Sequence, residues 1–276
     1  MIQIGIRSCS VTLTDDSLTE SHLLLLKKIG FSLIELSLNR PPLNPITDKQ
    51  CQSLRLLTEK LNFKCTAHAP DTIQLSSPDL EIVNSSQKVL EEYIHKAHLC
   101  GARTLVFHAC SGLVPTPGKE DISIKNLINA LEYLVPICEY ENVRLAIETM
   151  VPGRITSNID NILHCVNKLN SPFIGICIDT NHINLSLPLK EVIEKAAGKI
   201  FEFHINDNHL KCEEHLLPFH GLIDWDEFTE TVCAIGFNGN MIMEPSLRLG
   251  ETLEALLQNA EQVKKLLLEK IKKYFP

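Results

Sequence analysis

Short apolar runs rich in β-branched residues recur at positions 2–6, 33–38, 64–68, 104–108, 144–148, 175–179, 200–205 and 241–244. Each reads as a buried strand, because a parallel strand covered on both faces leaves few polar positions. Between these runs the apolar residues step by three and four instead. In 77–100, Leu80, Ile82, Val83, Val89, Leu90, Tyr93, Ile94 and Ala97 mark one helical face; in 121–140, Ile122, Ile124, Leu127, Ile128, Leu131 and Leu134 do the same. A last helix from Glu251 to about Tyr274 carries Leu253, Leu256, Leu257, Ala260, Val263, Leu267 and Ile271 as a stripe for packing on the rest of the fold. End signals agree with this division. Thr47-x-x-Gln50 has the form of a capping box, Gly101 and Gly236 follow helical runs, and the last helix closes in a Lys-rich turn that suits its negative end.

Eight strands, each followed by a helix and without a composition shift between halves, predict one domain over 1–276, a closed α/β (β/α)8 TIM barrel. An open doubly wound sheet is the runner-up. No GxGxxG turn follows any strand and no GxxxxGK[ST] occurs, so phosphate-loop nucleotide binding has no support.

Composition narrows the function classes. The 276 residues include 26 Lys+Arg and 34 Asp+Glu, a formal charge of −8, with 44% hydrophobic and 22% charged residues. That is ordinary globular chemistry and excludes wholesale disorder, collagen-like and coiled-coil chains. No apolar run approaches the roughly 20 residues that span a bilayer, and the start MIQIGIR lacks a leader's basic end and long apolar core. The expectation is a cytoplasmic protein with no membrane partner. Ten scattered cysteines without a CxxC pair fit reduced, mostly buried thiols.

The informative pattern is what ends the strands. His68, His108, Glu148, Asp179 (with His182 after it), His204 (with Asp207) and Glu244 follow successive apolar runs. A single strand-end His is more often a structural hydrogen-bonder. In a barrel, however, all these ends converge on one mouth, where clustered carboxylates would repel without a compensating cation. Imidazole beside carboxylate suits Zn2+, Mn2+, Co2+ or Fe2+, whereas Mg2+ favours oxygen alone.

The order His, His, Glu, Asp-x-x-His, His-x-x-Asp, His, Glu, running over nearly the whole chain, resembles the sugar phosphate isomerase/epimerase superfamily of xylose-isomerase-like barrels, which also contains the type IV AP endonucleases. In ketose 3-epimerases of that superfamily one divalent metal is held from strands five to eight by residues matching Glu148, Asp179, His204 and Glu244. In the endonucleases a trinuclear zinc cluster adds ligands matching His68, His108, His182 and His215, with an Asp two residues before the last. This chain has Glu213 at that Asp position. The segment His215-Leu-Leu-Pro-Phe-His-Gly-Leu-Ile-Asp-Trp225 is closer to the isomerase branch. Phe219 and His220 replace that branch's Gly and the residue after it, so no substrate contact is carried over at this point.

The resemblance implies a metal-dependent sugar or sugar-phosphate isomerase or epimerase. Glu148 and Glu244 would move a proton through an enediolate while also binding Mn2+, Co2+ or Zn2+. His182 would orient a hydroxyl, and Asp207 would sit behind His204 and fix its tautomer. Trp225, the sole tryptophan, is expected to pack under the last barrel helix. The same residues could serve a zinc-dependent AP endonuclease-like phosphodiesterase on DNA, a polyol dehydratase, or a barrel that binds metal and polyol without turnover. Mouth loops with few basic residues argue against nucleic acid: Arg7 follows strand one, Arg154 strand five, and 110–119 is nearly uncharged. Arg7, Arg154, Lys211 and Arg248 are the candidate contacts for a substrate phosphate. A homodimer is suggested by analogy with the fold alone.

Overall fold

A computed structural model describes residues 2–12, 18–38, 46–110 and 118–274. Most of the expected uncharged loop 110–119, namely 111–117, thus lies outside the described residues. Eight strands form the barrel: β1 (Gln3–Arg7), β2 (Leu33–Ser37), β3 (Lys64–His68), β4 (Thr104–Phe107), β5 (Arg144–Glu148), β6 (Ile174–Asp179), β7 (Ile200–His204) and β8 (Asn240–Met243). They follow one another in chain order, and β8 pairs with β1 in the parallel sense through Gln3↔Asn240 to Ile6↔Met243, which closes the sheet. Each of the eight apolar runs in the sequence became a strand, with ends moved by a residue or so.

Around the barrel lie α1 (Cys9–Thr12), α2 (Glu20–Lys28), α3 (Asp48–Lys60), α4 (Leu80–Leu99), α5 (Glu120–Glu141), α6 (Ile159–Leu169), α7 (Thr180–Asn184), α8 (Leu189–Lys195), α9 (Trp225–Ala234) and α10 (Leu253–Lys272). The capping box at α3 forms as expected: Gln50 N donates to Thr47 Oγ1 at 3.3 Å and Thr47 N donates to Gln50 Oε1 at 2.8 Å. Gly101 and Gly236 adopt φ of 79° and 69°, the left-handed conformation that lets the chain leave α4 and α9. The α10 stripe is buried from Leu256 to Ile271, where each enclosed Leu or Ile contributes about 1.5–3 kcal/mol of apolar burial. All ten cysteines are free thiols, and Cys212 is exposed. No helix among the described residues is long and apolar enough to cross a membrane.

The inward side chains alternate along every strand. Register pairs such as Arg7↔Glu35, Ser37↔His68, Asp179↔His204 and Glu202↔Asn240 put polar groups into the lumen. At mid-height Val106, Ala146 and Cys177 pack with Phe201 into a small apolar cluster of their own. Gly175 makes room for this, because a Cβ there would stand 2.5 Å from the Phe201 ring. A register shift between Ile176 and Cys177 against β7 accompanies the turn of Phe201 toward that cluster.

Candidate metal centre

The strand ends expected to converge do so. Glu148, the last residue of β5, is buried at the centre of the mouth. Its Oε2 lies 3.1 Å from His68 Nε2 and 3.0 Å from His108 Nε2, and its Oε1 lies 3.2 Å from His204 Nδ1. His204 Nδ1 is also 3.2 Å from Glu244 Oε2. Asp179 caps α7, accepting from His182 N at 3.0 Å with Oδ1, while its buried Oδ2 has no hydrogen-bond partner. Glu213 Oε1 stands 3.2 Å from His182 Nε2 and 2.7 Å from His215 Nε2.

Local bonds fix the imidazole tautomers. His68 Nδ1 donates to its neighbour's carbonyl, Ala69 O, at 2.7 Å, and His182 Nδ1 donates to Thr149 O at 2.7 Å. In each ring Nε2 is left to face the carboxylates, the arrangement found where a histidine ligates metal. Thr149 does double duty: its hydroxyl accepts from Asp179 N at 2.9 Å.

The charges are mutually dependent. Burial pushes the Glu148 carboxyl up, but His204 and His108 outweigh it and hold the group well below the usual carboxylate range. Glu244 is likewise held low against its burial, by Arg7 and His204. Burial raises Asp179 in spite of His182. On the imidazoles burial opposes protonation and loses. Asp179 and Glu213 bring His182 up to about 10, and Cys177, Glu244, Glu148 and Glu35 raise His204 well above the usual value. Hydrogen bonds from His182 and His215 hold Glu213 low.

Among the described residues four ligand groups emerge, each with donor atoms within 4.8 Å of one another: His68–His108–Glu148, Glu148–Asp179–His204–Glu244, His182–Glu213–His215 and, deeper in the lumen, Glu35–Glu202–His204. The residues fit a divalent cation on two counts. A buried carboxylate oxygen, Asp179 Oδ2, lacks any donor amid three further ligands, and mixed nitrogen and oxygen donors suit Zn2+, Mn2+ or Co2+.

One placement differs from expectation. Asp207 does not stand behind His204. Its Oδ1 accepts from Asn208 N at 2.9 Å and Ile223 N at 3.1 Å, and its Oδ2 accepts from Trp225 Nε1 at 2.8 Å. It is therefore spent on holding the loop 207–225, and Gly221 is required there because a Cβ would fall 2.3 Å from Asp207 Oδ1. Trp225 is buried at the start of α9, edge-on to Phe228, and packs rather than facing a ligand.

The position behind His204 belongs to Glu35, in the middle of β2. Its Oε2 accepts from His204 Nε2 at 3.0 Å, and Arg7 Nε lies 3.4 Å from its Oε1. Arg7 Nη1 in turn binds Glu244 Oε1 closely. Glu35 therefore steadies two sides of the centre at once. Glu202, also buried, is pushed up to about 8 by burial and by Glu35. Neither glutamate ends a strand, which is why attention to strand ends passes over them. For Glu202 a sequence signal existed, since it precedes His204 by two residues; for Glu35 the pairing with Thr66, two before His68, appears only in the sheet.

Comparison with known proteins agrees with this fold. A model of the xylose isomerase-like TIM barrel matches residues 23–267. An uncharacterized protein y4fM of Sinorhizobium fredii is 28% identical over 55% of this chain, a match spanning half of that protein's length (50%). D-psicose 3-epimerase of Ruminiclostridium cellulolyticum is 22% identical over 82% of this chain and 78% of its own. A probable endonuclease 4 of Mesomycoplasma hyopneumoniae is 34% identical, but over only 42% of this chain and 40% of its own. The crystal structure of a D-tagatose 3-epimerase-like protein superposes with a TM-score of 0.82 at 21% identity, covering 99% of this chain and 100% of that one.

Proposed function

The chain belongs to the xylose isomerase-like TIM barrel family, and on that premise we propose that it is a divalent-metal-dependent isomerase or epimerase of a sugar or sugar phosphate. The observation that carries the proposal is the convergence of Glu148 and Glu244, from β5 and from beyond β8, on the same nitrogen of His204 at 3.2 Å each. Two carboxylates held ionised beside one substrate position can remove a proton from carbon and return it. The epimerase names among the relatives support the same reading.

Glu148 is kept ionised by its imidazole neighbours and Glu244 by Arg7, so either can act first as base. Arg7 also fixes the direction of the Glu244 carboxylate, and Asn206 assists by donating to Glu244 Oε2 at 3.4 Å. A divalent ion held by Glu148, Asp179, His204 and Glu244 would polarise the substrate carbonyl and spread the charge left by proton removal. His182, whose Nε2 lies 3.2 Å from Glu213 Oε1, is the residue we assign to orienting a substrate hydroxyl. Of the candidate phosphate contacts Arg7 is already paired, whereas Arg154 keeps a buried Nη1 without a hydrogen-bond partner.

The test is solvent exchange. With Mn2+ or Co2+ a ketose C–H proton should exchange in D2O, and Glu148→Gln and Glu244→Gln should each lower that rate by about 10³-fold or more, the upper range of a single acid–base group combined with a lost ligand. Near-normal exchange in either variant would refute the assigned pair.

A zinc phosphodiesterase is the second reading, drawn from adjoining ligand groups at the mouth, two of which share Glu148. It is not the favoured one, because Arg7, a basic residue of the mouth, is consumed by Glu35 and Glu244. Metal counting decides between them. Two or three tightly held zinc ions together with cleavage of an abasic oligonucleotide would overturn the isomerase reading.

A further inference from the structure

A cavity of about 390 Å3 with several charged residues in its lining lies at the amino-terminal end of the barrel, away from the metal centre. It is bounded by the first residues of β1, β3, β5 and β8 and by the ends of α3 and α4. Stepping back in fours from Arg7, His68, Glu148 and Glu244 brings Gln3, Lys64, Arg144 and Asn240 to this floor on the inward face. Barrels of this architecture fill such interior layers mainly with bulky branched apolar side chains. Here four of the floor positions are polar, and two of them are cations. Arg55 and Arg103 add two more cations to the lining.

What those cations bind is the telling point. Arg55 has a carboxylate, Glu59, at 2.8 Å. The other three donate their hydrogen bonds to neutral acceptors. Lys64 Nζ donates to Gln3 Oε1 at 2.9 Å, Arg103 Nη1 to Asn142 O at 3.3 Å, and Arg144 Nη2 to Thr104 Oγ1 at 3.0 Å. The Arg144 guanidinium is additionally stacked 4.5 Å over the Phe201 ring, which fixes its plane. Glu202, buried in the lumen, takes its bond from Asn240 at 3.2 Å and, where ionised, also bears on Arg144, but burial and Glu35 push its carboxyl up to about 8. Among the described residues none of the three forms an ion pair. Cations in the last turns of helices would be matched by the helix dipole, but Lys64 and Arg144 belong to strands. A half-buried guanidinium with most of its five N–H groups uncommitted, flanked by two unpaired charges, lacks an anion of matching geometry.

We propose that this floor cavity binds a phosphate dianion, free or carried by a small metabolite, with Arg144 as the planar multi-donor contact and Lys64 and Arg103 as the charges at its rim. The volume is within the range of small-molecule sites, so a phosphorylated metabolite has room beyond the phosphate itself. This proposal stands apart from the isomerase reading, because its readout is binding and not turnover.

Titration calorimetry of the metal-loaded protein with inorganic phosphate, at constant ionic strength set by chloride, tests it. One site is expected. Lys64→Glu/Arg103→Glu, both changes at exposed side chains, should weaken phosphate by about tenfold or more, the loss expected from removing charge-assisted contacts. Lys49→Glu/Lys119→Glu, which makes the same charge change away from the cavity, should leave phosphate binding within about twofold. A sugar phosphate that binds this site more tightly than inorganic phosphate does identifies a metabolite as the occupant; equal affinity identifies the phosphate group alone. No binding to the wild type, undiminished binding to Lys64→Glu/Arg103→Glu, or an equal loss in the remote variant would overturn the proposal.

Discussion

The two ends of the barrel carry opposite imbalances of charge, supplied by the same strands. β3 provides Lys64 at the floor and His68 at the mouth, and β5 provides Arg144 at the floor and Glu148 at the mouth. At the mouth carboxylates outnumber fixed cations and are held together by imidazoles; at the floor three cations face neutral acceptors. Between the ends lie the apolar cluster of Val106, Ala146, Cys177 and Phe201 and the buried carboxylates Glu35 and Glu202. The contrast shows how such a chain stays folded. Burial around the sheet provides the stability, which leaves the polar residues at each end to be chosen for what they bind.

The strongest way to probe the contrast is to compare the protein with and without the divalent ion proposed for the mouth. Stripped protein should melt at lower temperature, because a ligand present at about 1,000 times its dissociation constant contributes roughly 4 kcal/mol. Its remaining stability should have a definite pH trend. The folded value of His182, about 10, exceeds its usual 6.5, so the stabilisation it brings is fully present below about 6.5 and is lost as pH rises through 10. Melting curves of stripped protein between pH 6 and 10 should therefore shift downward; an upward shift would show that the imidazoles are not held protonated by their neighbours.

Next in size is Asp207→Ala. It leaves two backbone N–H groups and the Trp225 indole N–H without their acceptor, a cost of about 3 kcal/mol from unsatisfied buried donors. With Trp225 as the only tryptophan, a change in fluorescence should accompany the loss, and an unchanged melting point would mean the loop has another support. Glu35→Gln should act on metal more than on folding, lowering affinity by about 10–100-fold as expected for the partner behind a ligating histidine. A Co2+ absorption spectrum and affinity identical to wild type would remove Glu35 from that role. The smallest effect belongs to neither end. Thr47→Ala breaks the α3 capping box and should cost about 1 kcal/mol while leaving both metal and phosphate binding unchanged.

Much of this was legible because a buried parallel strand is written as an unbroken apolar run, and because a polar residue closing such a run has one place to go. His68, Glu148, Asp179, His204 and Glu244 follow that rule. Glu35 does not, since a carboxylate within Leu33–Ser37 gives no local sign of facing a histidine 169 residues away. Asp207 was misplaced for the complementary reason. Its distance along the chain from His204 suggested a partner, but the turn after β7 carries it toward Ile223 and Trp225. The floor was illegible too: Lys64 and Arg144 begin their strands, where a charged residue ordinarily marks a solvated end.

The packing of imidazolium against carboxylate at the mouth has one more consequence. In the stripped protein protons already occupy part of the positive charge that the carboxylates demand. Taking up a divalent ion is then an exchange of one cation for others, since a ring nitrogen must shed its proton before it can donate its lone pair. If the mouth takes up the divalent ion proposed for it, loading should acidify an unbuffered solution and become tighter as pH rises, and the acidity of the surroundings would then set how much metal is held.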